Sequence, residues 1–531
     1  MKSKYYNLIR CFIGVVLLWA AWPVSPFTIL LFVAWLPMFF LADNVQGWKK
    51  FFGYTYLHML LWNLLVTWWV AMSTIVGGIG AFVANSLIMC LPWMIYFFTK
   101  KYYSEFVAGI SLIAYWIAYE YIHHNWDLSW PWLSLGNAFA THPGWVQWYE
   151  YTGASGGTLW VLLANLLMFK AFKVYRADGR SGLYFRYLFS FLLIICLPIG
   201  ISALINKKNL TLTHNKYNVV VVQPNYDPWD EKFEPGKQEA HLQEMLALSQ
   251  KQIDPNTRLV IWPETAIPYQ VDEDLLKENY MLSPLWGFLK DNPHINLLTG
   301  LEGFRQFDHK VSRYAKAANE GLYYEMYNSA TLFDSSQVQI YHKSKLVPGV
   351  EVLPGFLTFM ASAFEKFGGT TGGYARDSVA RVLNTTNNSY HITPAICYES
   401  IYGDYLADFN RQQADIICIM TNDGWWGKTP GYRQHESYAR LRAIEARKWV
   451  ARSANTGISC FIDPYGNVVQ QLPWDKRGAL KQDIAAFVTE TFYTRHGDWL
   501  SRFFSIVSVI FLITGVIFAI RKRRIAATAK S

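Results

Sequence analysis

His391-Ile-Thr-Pro-Ala-Ile-Cys-Tyr-Glu-Ser400 reads as a buried strand that stops on a cysteine. A short apolar run rich in β-branched residues and bounded by turn formers marks a core strand. Two upstream segments end in a similar way. Arg258-Leu-Val-Ile-Trp-Pro-Glu-Thr-Ala-Ile-Pro268 sets Glu264 at the mouth of a strand, and Tyr341-His-Lys-Ser-Lys-Leu-Val-Pro348 sets Lys343 after an alternating run. A carboxylate, an ammonium and a thiol at strand ends could act as base, cation and nucleophile, the set that acyl-thioester chemistry needs. Each also has a plainer reading: a surface turn glutamate, a solvated lysine and a small hydrophobic core cysteine. Lys345 lies on the same strand face as Lys343 by period two, and spacing alone does not choose between them.

Around these segments, residues 206–500 read as α/β. Strands are expected over Tyr217–Gln223, Arg258–Trp262, Ile295–Gly300, Met326–Phe333, Gln337–Tyr341, Ile392–Cys397, Ile416–Thr421 and Gly457–Ile462. Helices are expected near Lys237–Lys251 and His435–Arg452, where apolar residues recur at helical spacing. Tyr465-Gly-Asn467 before Val468 reads as a hairpin turn.

Outside that segment the chain turns apolar. Of its 531 residues 52 % are hydrophobic, 17 % aromatic and only 16 % charged, where soluble proteins carry nearer a quarter charged. Runs able to span a bilayer lie near 8–22, 27–42, 53–72, 79–98, 106–122, 157–175, 186–204 and 502–520. The first two are short and separated by Pro23 and Pro26, so they are either two spans or a tight, partly re-entrant hairpin. The net charge of +9 does not indicate nucleic acid, because the basic residues collect beside these runs. Lys2, Lys4 and Arg10; Lys49 and Lys50; Lys100 and Lys101; Lys173, Arg176, Arg180 and Arg186; and Arg521 to Arg524 all fall on one side if eight runs span. The positive-inside rule makes that side the cytoplasm and puts 206–500 outside. The division expected is an N-terminal bundle of about seven spans over 1–205, an outer domain over 206–500, and a helix with a basic tail over 501–531. Trp126, Trp130, Trp132, Trp145, Trp148, Tyr149 and Tyr151 crowd one loop, either as an interfacial aromatic belt or as a rim that guides a lipid tail. The six cysteines include no C-x-x-C pair, which argues against a disulfide framework or a zinc site.

Trp-Pro-Glu, Tyr-x-Lys-x-x-Leu-Val-Pro and Ile-Cys-Tyr-Glu, in that order, resemble the nitrilase (carbon–nitrogen hydrolase) superfamily. With the flanking spans, the whole chain resembles the apolipoprotein N-acyltransferase family. The likeness extends to Trp130-Pro-Trp-Leu133, Tyr151-Thr-Gly153, Gln223, Asn422-Asp-Gly-Trp425 and Arg452-Ser-Ala-Asn-Thr-Gly457. It implies an α/β/β/α sandwich beside an α-helical membrane bundle of about eight spans. It implies Glu264 as base, Lys343 as oxyanion cation and Cys397 as nucleophile. It also favours Lys343 over Lys345, since Lys343 lies eight positions before Glu351. Glu351 would hydrogen-bond within the triad, Tyr398 and Glu399 would line the site, and Trp425 would lie near the acyl chain.

The resemblance implies transfer of an acyl chain from a phospholipid, through a Cys397 thioester, to the α-amine of a diacylated apolipoprotein. It implies no metal and no cofactor, and an active face on the periplasmic side of the bacterial inner membrane. Two segments depart from the family pattern. Pro348-Gly-Val-Glu351 stands where Pro-Phe-Gly-Glu is usual, and Lys232-Phe233 stands where a Lys-Trp pair is usual. The second departure leaves open whether Trp229 or Phe233 covers the site. The competing readings are a membrane-anchored amidase, a non-catalytic lipoprotein-binding homologue and a transporter. Glu120, near a span end, is the main ionisable exception in the spans that a transporter would need.

Overall fold

Each apolar run becomes helical, but the runs are not equivalent. The computed structural model describes residues 2–206, 210, 216–234, 236–360, 373–487 and 490–528. Among these, five helices are long and apolar enough to cross a membrane: Lys4–Ala21, Ile75–Tyr102, Ala154–Asp178, Gly182–Ile205 and Trp499–Ile525. Length and apolarity by themselves pick out five of the eight expected spans. Two of the other three runs form twenty-residue helices with more polar sequences. Trp48–Thr67 carries Lys49, Lys50, His58 and Asn63, and Glu105–His124 carries Glu105, Glu120, His123 and His124. The run near 27–42 is broken into a 3-10 turn, Thr28–Phe32, and a short helix, Leu36–Asn44, with Pro37 near its start.

The chain divides into two compact units: Met1–Trp68 with Ile79–Lys207 and Asp498–Ser531, and Trp69–Gly78 with Lys208–Gly497. In the helical unit, the break near residue 33 frees backbone groups in an apolar interior, where an unpaired group costs several kcal/mol. Asn165 meets that need: its Oδ1 accepts from Trp35 N at 2.8 Å and its Nδ2 donates to Leu31 O at 2.9 Å. The break also places Trp35 at the centre of an aromatic core. Its ring lies 4.8 Å from Trp116, 5.6 Å from Trp62 and 5.6 Å from Trp93.

Glu120, the ionisable exception, is fully committed to structure. Its carboxylate accepts from Trp116 Nε1 at 3.0 Å, Leu135 N at 3.0 Å and Thr158 Oγ1 at 2.7 Å, so it pins the aromatic loop to two helices. Within that loop Trp132 and Tyr149 are buried, whereas Trp126 and Tyr151 are exposed. Residues from four basic or acidic run ends meet: Lys100 pairs with Asp43 at 3.3 Å, Lys173 with Asp43 at 3.0 Å, and Lys170 with Glu105 at 2.5 Å.

Among the described residues, the second unit is built on fourteen strands in two sheets. The first sheet contains β1 (Tyr217–Gln223), β2 (Thr257–Ile261), β3 (Ile267–Asp272), β4 (Asn296–Phe307), β5 (Lys316–Ala317), β6 (Tyr323–Phe333), β7 (Val338–His342) and β14 (Gly478–Ile484). Its order is β14-β1-β2-β4-β6-β5, with β3 on β4 and β7 on β6. The second contains β8 (Leu383–Asn384), β9 (His391–Ile396), β10 (Ile416–Thr421), β11 (Trp449–Ala454), β12 (Ser459–Ile462) and β13 (Val468–Leu472), in the order β13-β12-β11-β10-β9-β8.

Side-chain alternation sets the layers. Val219 and Val221 of β1 pack inward with Ile392, Ile396 and Ile417 of the second sheet. Val220 and Val222 pack outward with Leu242, Met245, Leu285 and Leu289 from helices Gln238–Gln250 and Ser283–Asp291. Leu406, Phe409, Ala439 and Ala443, from helices Gly403–Arg411 and Pro430–Ala446, join the core on the second sheet. The result is the four-layer α/β/β/α sandwich that the resemblance implies.

One expected helix is corrected. His435–Arg452 does not run through: the helix ends at Ala446, Arg447 takes a left-handed φ of 52°, and Trp449–Ala454 is β11. Pairing with β10 and β12 on either side outweighs local helical spacing there. The hairpin at Tyr465–Asn467 forms, with Asp463 N donating to Asn467 O at 2.9 Å.

Replacing Asn165 with Leu keeps the branched shape but removes the amide and leaves Trp35 N without its buried partner. The variant is expected to lose about 2–4 kcal/mol of stability. A clear fall in the melting temperature of the detergent-solubilised protein would bear this out, and an unchanged one would sink it.

Candidate active site

Three strand ends and one turn converge. Glu264 leaves β2 through Trp262-Pro263, and the turn is held tightly against β4, where Gly300 N donates to Pro263 O at 3.1 Å. A Cβ on Gly300 would sit 2.5 Å from Thr265 N and 2.7 Å from Glu264 Cα, so this position needs glycine. Lys343 follows β7, and its backbone N donates to Asn328 O of β6 at 2.9 Å. Its ammonium is buried between two carboxylates, 3.2 Å from Glu264 Oε1 and 2.7 Å from Glu351 Oε1. The altered Pro348-Gly-Val-Glu351 turn still delivers Glu351. Gly349 takes a φ of 76°, and Val347 N donates to Glu351 Oε2 at 2.8 Å.

Asn328 was not singled out in the sequence. Its Nδ2 bridges the two carboxylates, 2.9 Å from Glu264 Oε1 and 3.0 Å from Glu351 Oε1. The only sequence signal was a polar residue inside an otherwise buried strand.

Cys397 starts a 3-10 turn at the end of β9 with φ at 49°, a left-handed conformation unusual for a residue with a side chain. The thiol is buried beside the Thr421 hydroxyl and within electrostatic reach of Glu264 and Lys343. Burial, reinforced by the Glu264 charge, pushes its pKa well up, and Lys343 opposes that rise. Burial would raise the Glu264 carboxyl too, but the Lys343 charge, the Asn328 amide and Lys232 outweigh it and hold the pKa below its usual range. The same carboxylates outweigh burial at Lys343 and keep its ammonium charged.

Glu399 faces into the protein and fastens two loops together. It accepts from Ile396 N at 2.9 Å on the cysteine side, and from Ser344 N at 2.7 Å, Lys345 N at 3.1 Å and Tyr341 Oη at 2.7 Å on the lysine side. Burial lifts its pKa to about 7 against these donors. Tyr398 is buried with its ring 5.2 Å from Tyr402. Lys345 does not join the carboxylates; its ammonium lies 5.2 Å from the Tyr402 ring centre.

Both aromatic candidates on the arm after β1 meet Trp425. The Trp229 ring lies 5.0 Å from it edge-on, and the Phe233 ring 6.4 Å away and stacked. Between them Lys232 turns inward, donating to Glu264 O at 2.9 Å and to Thr265 Oγ1 at 2.6 Å. Among the described residues no group of three His, Cys, Asp or Glu side chains is arranged to hold a metal ion.

Residues 14–167 match the apolipoprotein N-acyltransferase N-terminal domain, and residues 218–493 match the carbon-nitrogen hydrolase family. The apolipoprotein N-acyltransferase of Chlorobaculum tepidum is 30% identical over 515 residues, covering 94% of each chain. That of Pseudomonas putida is 27% identical over 456 residues, covering 82% of each. Among solved structures, Saccharomyces cerevisiae Nit3, a member of branch 10 of the nitrilase superfamily, is 15% identical with a TM-score of 0.37. That match covers 52% of this chain and 93% of Nit3.

Lys232 offers a test with a definite sign. Burial holds its pKa down at about 7, with Glu264 and Glu302 opposing. An unfolded lysine titrates near 10.4, so above pH ~7 the unfolded chain binds the extra proton and stability rises with pH. The stability of the wild type relative to Lys232→Met is expected to grow from pH 7 to pH 9, by up to about 1.4 kcal/mol per pH unit. Melting both proteins across that range checks it, and a difference independent of pH contradicts it.

Proposed function

The chain belongs to the apolipoprotein N-acyltransferases of the carbon–nitrogen hydrolase superfamily, and on that basis we propose that its buried Glu264, Lys343 and Cys397 transfer an acyl chain from a phospholipid to a lipoprotein amine. It is a bacterial membrane acyltransferase that N-acylates lipoproteins, with a nitrilase fold carrying the chemistry. The observation that best supports the residue assignment is the Lys343 ammonium clamped between Glu264 and Glu351 beside a cysteine in strained backbone.

In this reading the Cys397 thiol gives its proton to Glu264 as sulfur attacks the ester carbonyl of a phospholipid. The transfer moves one negative charge from Glu264 toward sulfur without creating new charge. Lys343 is close enough to stabilise either position, so burial penalises the step less than it would an isolated thiolate. The tetrahedral oxyanion collects beside Lys343 and the Tyr398 backbone N–H. It collapses to the thioester, and Glu264 returns the proton to the departing lysophospholipid alkoxide.

The neutral α-amine of a diacylated apolipoprotein then attacks the thioester. Glu264 takes the amine proton and Cys397 leaves, recovering it as the thiol. The product is an amide, and the enzyme is unchanged after two half-reactions, which gives ping-pong kinetics. Glu351 and Asn328 hold Lys343 and Glu264 in place. Trp425 with Trp229 and Phe233 forms an apolar cover suited to an acyl chain. The shared meeting point of Asp43, Lys100, Glu105 and Lys173 supports a common cytoplasmic side for these run ends. Under the positive-inside rule this fits a catalytic unit on the periplasmic side of the inner membrane.

The membrane-reconstituted protein incubated with phospholipid alone should gain the mass of one acyl chain, labile to hydroxylamine and absent in Cys397→Ala. Lys343→Met should slow that gain by about 10²–10³-fold. No adduct on the folded wild type, or an adduct that survives in Cys397→Ala, would sink the thioester route.

A further inference from the structure

Behind the nucleophile lies a second, fully buried polar chain that the mechanism above does not use. Arg452 of β11 donates through Nη2 to both oxygens of Asp423, at 3.1 and 2.8 Å, and through Nη1 to Ile458 O at 2.6 Å. Asp423 also accepts from Thr421 Oγ1 at 3.0 Å. His435, on helix Pro430–Ala446, has Nδ1 2.9 Å from Asp423 Oδ1 and 3.1 Å from Arg452 Nη2. Its Nε2 ends the chain 3.1 Å from the carbonyl oxygen of Cys397 and 3.1 Å from Ser400 Oγ. Ser400 Oγ itself donates to the same carbonyl at 2.7 Å. Asp423, His435 and Arg452 are completely buried.

A carbonyl oxygen only accepts, so the 3.1 Å contact with Cys397 O assigns the ring hydrogen to Nε2. Nδ1 then either accepts from Arg452 or, if the ring is charged, donates to Asp423; in both cases the ring keeps one orientation. Two donors therefore hold the carbonyl of a residue whose left-handed φ costs of order 1–2 kcal/mol. No cis peptide bond occurs among the described residues, and a planar trans peptide sets C=O and N–H in opposite directions. Fixing the Cys397 carbonyl toward His435 and Ser400 thus also fixes where the Tyr398 N–H points.

We infer that His435, oriented by Asp423 and Arg452 and assisted by Ser400, is a positioning residue: it sets the Cys397–Tyr398 peptide so that its amide is aimed at the oxyanion. The inference rests on the thioester reading above. It gives the Asn422-Asp-Gly-Trp425 and Arg452-Ser-Ala-Asn-Thr-Gly457 segments a shared task at the nucleophile. It also separates two properties of Cys397, its nucleophilicity and the stabilisation of charge on its substrate.

That separation provides the test. Alkylation by iodoacetamide displaces iodide at carbon and forms no oxyanion, whereas acylation by phospholipid must form one. In reconstituted full-length protein, His435→Leu is expected to slow acyl-enzyme formation by about 10–10²-fold while alkylation of Cys397 changes by no more than about threefold. His435→Gln, whose amide can still donate to Cys397 O, is expected to recover most of the loss. Ser400→Ala, a smaller change to the fold, is expected to give a weaker but equally selective loss.

Parallel falls in alkylation and acylation would mean the chain merely supports the fold and would overturn the inference. So would unchanged acylation in both His435→Leu and Ser400→Ala. If the wild type itself is alkylated but never acylated, the thioester reading fails, and this one with it.

Discussion

One buried ammonium held between two buried carboxylates is the constraint around which the catalytic unit is organised. Lys343 alone in that position would be driven to lose its proton, and Glu264 alone would be driven to gain one. Together they stay charged, because each offsets the desolvation of the other. The arrangement works only if three separate chain segments meet within about 3 Å, the range of a charge-assisted hydrogen bond. That requirement explains the local devices: a glycine at 300 so that the Glu264 turn can press against β4, a glycine at 349 so that the next turn can return Glu351, and an asparagine at 328 spanning both carboxylates.

The four-layer architecture follows from where these groups originate. Glu264, Asn328 and Lys343 come from β2, β6 and β7 of one sheet, whereas Cys397 comes from β9 of the other. The site therefore lies across the packed inner faces of the two sheets. Glu399 bonds to both sides, taking one donor beside the cysteine and three beside the lysine. A carboxylate next to Cys397 invites a chemical role, but here it acts as a fastener that keeps the cysteine's sheet from sliding against the lysine's.

Much of this was legible in the sequence, for identifiable reasons. The core strands were readable because each is short, apolar and bounded by turn formers; Tyr217–Gln223 and Ile416–Thr421 fall where expected. The strand-end positions of Glu264, Lys343 and Cys397 were readable because a polar residue directly after an apolar run is a local pattern. Asn328, His435, Asp423 and Arg452 were not readable as a group. Their partners are far away in the chain, and each has an ordinary local explanation. Trp449–Ala454 misled because its helical spacing continues that of the preceding helix, while the pairing that makes it a strand comes from β10 and β12. The break near residue 33 falls inside a run that reads as one continuous apolar stretch, and it is completed by Asn165, more than a hundred positions away. Choosing Lys343 over Lys345 needed the family likeness, and the structure gives the physical reason: one ammonium reaches carboxylates and the other an aromatic ring.

The helix Trp499–Thr528 belongs to the same compact unit as the N-terminal helices, joined to them where Tyr103 Oη donates to Phe511 O at 2.5 Å and Trp499 Nε1 to Tyr151 O at 2.8 Å. The ribosome therefore completes the whole catalytic unit before it supplies a wall of the bundle that precedes that unit in the chain. During synthesis the earlier helices wait in the lipid with that flank open. The last helix is consequently a closing piece of the bundle, and a premature stop before it would leave an unfinished membrane assembly rather than an enzyme missing only its tether.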